Sequence, residues 1–230
     1  MPDAPKQLAL DLPTNPRYGR EDFLVSPSNE RAYGLIERWP DWPDTVLLLT
    51  GPKGSGKSHL AAIWAEAAHG WTVDGFEVAM DRVPHLISNG ALVIEDLDSG
   101  EADEPALFHL LNLARERQAY VVLTGARPVE QLPIRTPDLK SRLRLAPSVS
   151  VDPPDDALLK AVLVKLFVDR QLVVDTSVVD FLTLRIERSL AAAAEVVAEL
   201  DREALSRGRR ITRPMAADLL GRAAGTEEGE

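Results

Sequence analysis

Residues 46–58 read Val-Leu-Leu-Leu-Thr-Gly-Pro-Lys-Gly-Ser-Gly-Lys-Ser, a strand-forming run followed by a glycine-rich loop. The run up to Thr50 is continuously apolar, as in strands that are buried on both faces. The next eight residues fit the pattern G-x-x-x-x-G-K-[ST], and a helix is predicted from about Ser58 to Ala68. Glycines in such a loop let backbone N–H groups turn toward a phosphate, and the N-terminus of the helix adds positive partial charge. The stretch therefore predicts an α/β fold with a phosphate-binding loop after one of its strands.

The chemistry of this loop predicts a nucleotide and Mg²⁺. Lys57 would reach the β- and γ-phosphates, and the Ser58 hydroxyl would bind the metal. A second metal anchor is expected where a neighbouring strand ends, and residues 91–94 form an apolar run that is followed by Glu95 and Asp96. Either carboxylate could hold the metal while the other orients the attacking water, so the pair is assigned and the individual roles stay open. The candidate loop residues are Gly51, Pro52, Lys53, Gly54, Ser55, Gly56, Lys57 and Ser58, with His59 directly after them.

Strand-like and helix-like runs alternate up to about Pro147. A third buried strand is predicted over 119–124, and helices are predicted near 105–117 and, farther along, 190–205. Apolar strands separated by helices indicate a parallel sheet with helices on both faces. After residues 152–154, Asp-Pro-Pro, the pattern becomes wholly helical. We predict four segments: an extended tail over 1–20, an α/β domain over 21–152, a small helical domain over 153–222 and a disordered tail over 223–230.

Composition narrows the possible functions. The chain has 230 residues, 26 basic against 36 acidic side chains, a net charge of −10 and no cysteine. Disulfides and thiolate metal sites are excluded, so we expect a metal to be held by oxygen ligands. The acidic balance argues against strong direct DNA binding. Neither a signal peptide nor a membrane span is recognisable, and we expect a cytoplasmic protein.

Two further charged groups are interpreted as solvated surface. The acidic residues after the Glu-Asp pair flank a glycine, which is typical of an exposed loop. A basic group near the C-terminus could touch DNA or a protein partner, but a solvated helix end is the preferred interpretation. The acidic group consists of Asp98, Glu101, Asp103 and Glu104, and the basic group consists of Arg202, Arg207, Arg209, Arg210 and Arg213.

With these motifs in place, residues 23–222 resemble the AAA+ module of the bacterial replication initiator DnaA. More narrowly, they are similar to the short DnaA-homologous regulators of the Hda type. The resemblance rests on Gly-Lys-Ser-His-Leu at 56–60 and on the entry segment Asp-Phe-Leu-Val-Ser-Pro-Ser-Asn at 22–29. It implies an AAA+ sheet followed by a helical lid domain, with ATP or ADP as the nucleotide.

The resemblance also gives roles to three residues that composition alone would leave unremarkable. Thr124, at the tip of the third strand, matches the sensor I position that would feel the γ-phosphate. Arg142 in Asp-Leu-Lys-Ser-Arg-Leu, residues 138–143, matches the arginine finger. Arg188 precedes a lid helix at the sensor II position. Without the family, both arginines would be read as surface charges.

The sequence departs from DnaA in two respects. Between Lys57 and Asp96 lie 38 residues (96 − 57 − 1 = 38), which leaves little room for the helical insertion by which DnaA grips single-stranded DNA. The similarity ends near Arg222, without the helix-turn-helix domain that follows in DnaA. We therefore do not expect origin recognition.

The N-terminal tail contains one apolar hexapeptide. Its leucines alternate, so an extended peptide would present them to a groove on a partner. The hexapeptide resembles the sliding-clamp-binding motif that Hda-type proteins carry in this position, although an edge strand of the chain's own sheet is an alternative. The residues are Gln7, Leu8, Ala9, Leu10, Asp11 and Leu12.

Taken with the family, these features predict a replication inhibitor. It would bind the DNA polymerase III sliding clamp and promote hydrolysis of ATP bound to DnaA, with weak or no turnover of its own and a possible homodimeric state. One alternative is an autonomous AAA+ ATPase of helicase-loader type. A small-molecule P-loop kinase is disfavoured, because neither the helical domain nor the tail would help bind a small phosphate acceptor.

Overall fold

The computed structural model describes residues 18–99 and 102–227 and divides them into two compact units, Tyr18–Asp155 and 156–227. The strands of the first unit are β1 (Val46–Thr50), β2 (Trp71–Asp74), β3 (Ala91–Glu95), β4 (Tyr120–Gly125) and β5 (Ser148–Ser150). Its helices are α1 (Glu30–Glu37), α2 (Lys57–Ala68), α3 (Val83–Leu86), α4 (Glu104–Arg117) and α5 (Pro137–Leu145). The second unit contains α6 (Asp156–Asp169), α7 (Thr176–Thr183), α8 (Leu190–Arg207) and α9 (Arg213–Glu227).

The five strands form one parallel sheet in the order β2-β3-β4-β1-β5. Strand β1 lies between β4 and β5, with Leu48 opposite both Leu123 and Ser148. Since all strands run the same way, the C-terminal ends of β1, β3 and β4 meet at one edge of the sheet, where α/β proteins bind ligands. The predicted fold class, a parallel sheet followed by a helical domain, is confirmed.

Helices cover the sheet on both faces because successive strand residues point to opposite sides. Leu48 and Leu123 belong to a buried cluster that includes residues of α3, α4 and α5. Leu47 and Leu49, the neighbours of Leu48 along β1, belong to a second cluster with residues of α1 and α2. This double burial explains why β1 is apolar without interruption.

Neither edge strand of the sheet, β2 or β5, is marked by a pattern in the sequence. Strand β2 has a single buried residue, Val73, and β5 has none. An edge strand has a neighbour on one side only and little core above and below it, so no apolar run marks it in the sequence.

The second unit has a core of its own. Leu159, Leu163 and Phe167 of α6 pack in one cluster with residues of α7, α8 and α9. Helix α9 runs to Glu227, beyond residue 222, where the helical domain was predicted to end. Of the described helices, none has both the length and the apolar character needed to cross a membrane.

Candidate functional site

The glycine-rich loop connects β1 to α2 at the C-terminal edge of the sheet. Gly51, Gly54 and Gly56 have φ values of +143°, +74° and +105°, and residues other than glycine rarely adopt such positive angles. The buried Lys57 begins α2, and its Nζ donates to the carbonyl oxygens of Gly51 at 2.7 Å and Pro52 at 2.9 Å. Burial lowers the pKa of Lys57, although nearby carboxylates, above all Asp96, act in the opposite direction.

A three-residue polar network joins this loop to the ends of two strands. Glu95 Oε2 accepts a hydrogen bond from Ser58 Oγ at 2.8 Å and another from Thr124 Oγ1 at 3.1 Å. Thr124 is fully buried, so its hydroxyl position is set by packing. The network brings together one predicted residue from each of α2, β3 and β4.

The two neighbouring carboxylates differ in their surroundings. Glu95 is half-buried and points at Ser58, whereas Asp96 is exposed and has a φ of +55°. The left-handed turn at Asp96 sends its side chain off the strand, while its N–H donates to Thr124 Oγ1 at 3.1 Å. Of the pair, Glu95 is the carboxylate whose oxygen contacts the Ser58 hydroxyl, whereas the charge of Asp96 acts on Lys57.

Ser58 and Glu95 offer a divalent cation two hard oxygen atoms that already lie 2.8 Å apart. Mg²⁺ is usually held by one or two protein oxygens together with substrate phosphates and water. Among residues 18–99 and 102–227, no group of three or more histidine and carboxylate side chains is placed to hold a metal by itself. The donor set therefore fits a metal that arrives with a phosphate.

The entry segment is held against the start of α2. His59 Nε2 lies 2.9 Å from the Gly19 carbonyl oxygen, and the imidazole ring makes edge contacts with the rings of Tyr18 and Phe23. Tyr18 and Gly19 therefore contact the domain although they precede residue 21, where the domain was predicted to start. Asn29 is almost fully buried and bridges the loop before α1, where its amide donates to the Leu24 carbonyl at 2.9 Å.

The predicted arginines lie in different units. Arg142 is half-buried on α5, and its guanidinium has no hydrogen bond or ion pair with any described residue. Arg188 is exposed in the second unit, two residues before α8 begins, and pairs with Asp156 at 2.8 Å.

Three acidic residues that were predicted to lie in a solvated loop make specific contacts. The prediction is wrong for Asp98 and Glu104, which are half-buried, whereas Asp103 is exposed. Asp98 Oδ2 accepts from the N–H of Ala126 just after β4. Asp103 is the N-cap of α4. Glu104 accepts from two backbone N–H groups that precede α5. Their partners are distant in sequence or hidden in cap geometry, so only the preference of Asp for N-cap positions could have indicated one of them.

The other predicted residues of the phosphate loop differ in exposure. Pro52 and Lys53 are exposed on the loop, and Ser55 is buried with an Oγ that lacks a partner among the described atoms. The hexapeptide at 7–12 lies outside the described residues.

In the basic group, Arg207 pairs with Glu203, and Arg213 lies over the Phe181 ring at 5.3 Å. Arg209 and Arg210 are exposed and unpaired within the described chain. The preferred interpretation, a solvated helix end, stays a prediction.

In comparisons with known proteins, the second unit matches an Hda-type family model, and most of the chain is similar in sequence to DnaA. Residues 156–220 match the family model described as "Hda, lid domain". The DnaA protein of Thermomicrobium roseum is 26% identical over 216 residues, which cover 81% of this chain and 46% of that protein. The chain spans less than half the length of the curated DnaA relatives that it matches.

Two solved DnaA structures share the fold. Domain III of DnaA from Thermotoga maritima has a TM-score of 0.76 and 20% identity, and the match covers 91% of this chain and 97% of that one. The AMPPCP-bound DnaA of Aquifex aeolicus has a TM-score of 0.66 and 20% identity over 81% of this chain and 66% of its own.

Proposed function

Because the chain is a DnaA-related AAA+ protein with an Hda-type lid domain, we propose that it inhibits replication initiation by promoting hydrolysis of ATP bound to DnaA. It docks on the DNA-loaded sliding clamp of DNA polymerase III through Gln7–Leu12 and meets DnaA through its AAA+ domain. The observation that carries the proposal is the guanidinium of Arg142, which is held on α5 without a partner in the described chain. An arginine without an internal partner is available to a phosphate on another molecule.

The chemical role of Arg142 follows from phosphoryl transfer. Charge spreads over the γ-phosphoryl oxygens in the transition state, and an arginine supplied by a neighbouring protein stabilises that charge. Arg142 acts in this way on the ATP of DnaA. Because its stabilisation is greatest in the transition state, its removal lowers the rate of hydrolysis more than the affinity for DnaA.

The chain's own loop binds ATP or ADP. Support comes from the glycine geometry of residues 51–58 and from the AMPPCP-bound DnaA that shares the fold. Backbone N–H groups of the loop cradle the phosphates, and Lys57 exchanges its carbonyl partners for phosphate oxygens. Ser58 and Glu95 hold Mg²⁺, which neutralises phosphate charge when it is bound. Thr124 reports the γ-phosphate to Glu95 through their hydrogen bond. Arg188 of the lid is the proposed sensor II residue.

The decisive experiment measures hydrolysis of DnaA-bound ATP with DNA-loaded clamp and substoichiometric amounts of this protein. Arg142→Ala should fold, bind the clamp and lose stimulation by about 10³-fold or more. The matched control is Arg144→Ala on the same helix, whose exposed side chain pairs with Glu130 and should be dispensable. Full stimulation by Arg142→Ala would refute the proposed role.

The clamp contact is tested separately. Gln7→Ala combined with Leu10→Ala should abolish clamp capture and leave the melting temperature unchanged. If the double variant still stimulates DnaA to the wild-type level, clamp docking has no part in the mechanism.

The network of Ser58, Glu95 and Thr124 also favours a second candidate, an autonomous ATPase of helicase-loader type. Appreciable ATP turnover by the purified protein alone, stimulated by single-stranded DNA, would support it. Turnover that depends on DnaA would exclude it.

A further inference from the structure

The carboxylate of Glu104 is bound at both oxygens by backbone groups of a distant segment. Oε1 accepts from the N–H of Arg135 at 2.8 Å, and Oε2 accepts from the N–H of Thr136 at 2.6 Å. Hydrogen bonds to a charged acceptor are roughly twice as strong as those between neutral groups. This bidentate contact joins the first residue of α4 to the segment that leads into α5.

The two N–H groups lie at the start of the helix that carries Arg142. Thr136 is the N-cap of α5, and its side chain makes no capping hydrogen bond within the helix. The first N–H groups of a helix lack partners in their own helix, and a negative charge beside them is favourable. Glu104 therefore places a negative charge at the N-terminus of α5 and binds the N–H of its N-cap residue, Thr136, together with that of Arg135.

Glu104 lies in the first turn of α4, which is capped and packed in the core. Its predecessor Asp103 caps α4 by accepting from the N–H of Ala106 at 3.1 Å, and Ala106 and Leu107 are buried. Glu104 lines a small cavity together with apolar residues that precede or belong to α4 and α5: Leu97, Leu107, Pro133, Ile134 and Leu139. The contact thus transmits the position of α4 to the N-terminus of α5.

The position of α5 decides where Arg142 points. Leu139 and Leu143 anchor one face of the helix in the core, and Arg142 lies beside that face. Buried leucines resist withdrawal of the helix, but apolar contacts have no direction and resist small rotations or shifts along the axis less well. Two directed hydrogen bonds at the N-terminus supply that missing constraint.

We propose that Glu104 is a positioning residue that sets the orientation of α5 and thereby holds Arg142 ready for a nucleotide on a partner protein. The role of Arg142 in this statement rests on the proposed function. The contact between Glu104 and the start of α5 stands on the described geometry alone.

The charge state of Glu104 supports this role. Burial acts to raise the pKa of the carboxyl group, but hydrogen bonds from Thr136 and Arg135 outweigh it and hold the pKa below its ordinary value. Glu104 is therefore a carboxylate at neutral pH and can accept both bonds at once. A glutamine at this position would keep one acceptor oxygen and lose the charge.

The first test needs neither DnaA nor the clamp. Hydrogen–deuterium exchange of the Arg135 and Thr136 amides, measured on the full chain, should accelerate at least about tenfold in Glu104→Ala and less in Glu104→Gln. Relaxation of the Arg142 Nε–H group should show greater mobility in the same order. Glu130→Ala, which removes another carboxylate beside α5, should leave these amides protected. Unchanged exchange and unchanged Arg142 mobility in Glu104→Ala would overturn the proposal.

The second test measures stimulated hydrolysis of DnaA-bound ATP. Glu104→Ala should lower the maximal rate by about 100-fold while the DnaA concentration for half-maximal effect stays the same, because a small misplacement of a catalytic group affects the transition state most. Glu104→Gln should recover part of the rate. Loss of amide protection with a wild-type maximal rate would overturn the positioning role.

The two proposals fail in different ways. If the wild-type protein stimulates nothing, the proposed function is wrong, and amide exchange and Arg142 relaxation still decide whether Glu104 orders α5. If Glu104→Ala does not fold, Glu104→Gln with the Glu130→Ala control carries both tests.

Discussion

Gly51→Ala should destabilise the α/β domain far more than the replacement of another glycine that also has a positive φ. Gly51 follows β1 with a φ of +143°, and an added Cβ would lie 2.1 Å from the Val151 carbonyl oxygen. That oxygen cannot easily move, because Val151 is fully buried and its N–H donates to the Thr50 carbonyl at 2.7 Å. Gly90 is the control: its φ is +84°, and an added Cβ would meet nothing within 4 Å.

The expected difference can be worked from these two geometries. A positive φ costs a residue with a side chain about 1–2 kcal/mol in the left-handed region, and this is the whole expected effect of Gly90→Ala. At Gly51 the strain is about 1–3 kcal/mol, and the displaced backbone adds about 1–3 kcal/mol of overpacking. Gly51→Ala should therefore lower the free energy of unfolding by about 2 kcal/mol more than Gly90→Ala.

Urea unfolding followed by tryptophan fluorescence measures this difference. All four tryptophans, Trp39, Trp42, Trp64 and Trp71, lie within Tyr18–Asp155, so the signal reports that unit alone. With a urea dependence of about 2 kcal/mol per molar, the midpoint of Gly51→Ala should fall about 1 M below that of Gly90→Ala. Equal midpoints would refute the argument that the close backbone approach at Val151 requires glycine.

Three further predictions concern stability. Asn29→Ala should cost about 2 kcal/mol in the same assay, since it leaves the partly buried Ser26 N–H and Leu24 carbonyl groups without their partner; a loss below about 0.5 kcal/mol would contradict this. Ser189→Ala removes the N-cap of α8 and should cost about 1 kcal/mol by thermal circular dichroism, whereas Ser206→Ala on the same helix should be nearly neutral. Burial acts to raise the pKa of Asp44, but the hydrogen bonds and charge of Arg115 outweigh it and hold the pKa below its ordinary value, so the stability from this pair is present at neutral pH and is lost as the pH falls through the folded-state pKa. Below about pH 4, the wild-type urea midpoint should therefore fall more steeply than that of Asp44→Asn, and parallel profiles would exclude the pair as the cause.

The central strands and the phosphate loop could be predicted because their signals are local. Strand β1 is buried on both faces and reads as an unbroken apolar run, and α2 follows a loop whose glycines mark unusual backbone angles. The edge strands escaped prediction because only Val73 among their residues is buried.

The polar contacts also divide into those that the sequence indicates and those that depend on residues far apart in the chain. The Glu95 and Asp96 pair was recognisable at a strand end, yet their inequivalence depends on the positive φ of Asp96 and on the position of Ser58, 37 residues before Glu95. The contact of Glu104 with Arg135 spans 31 residues, and nothing in either segment alone indicates it.

The sequence by itself determined the class of fold and the loop chemistry, because strand burial, helix periodicity and glycine backbone angles are set within a few neighbouring residues. Only the tertiary structure decided which carboxylate faces Ser58, which acids bind backbone groups and which of Arg142 and Arg188 has no partner among the described residues. Those outcomes depend on the packing of elements that are far apart in the chain, and a hydrogen bond forms only where packing brings donor and acceptor to within about 3 Å.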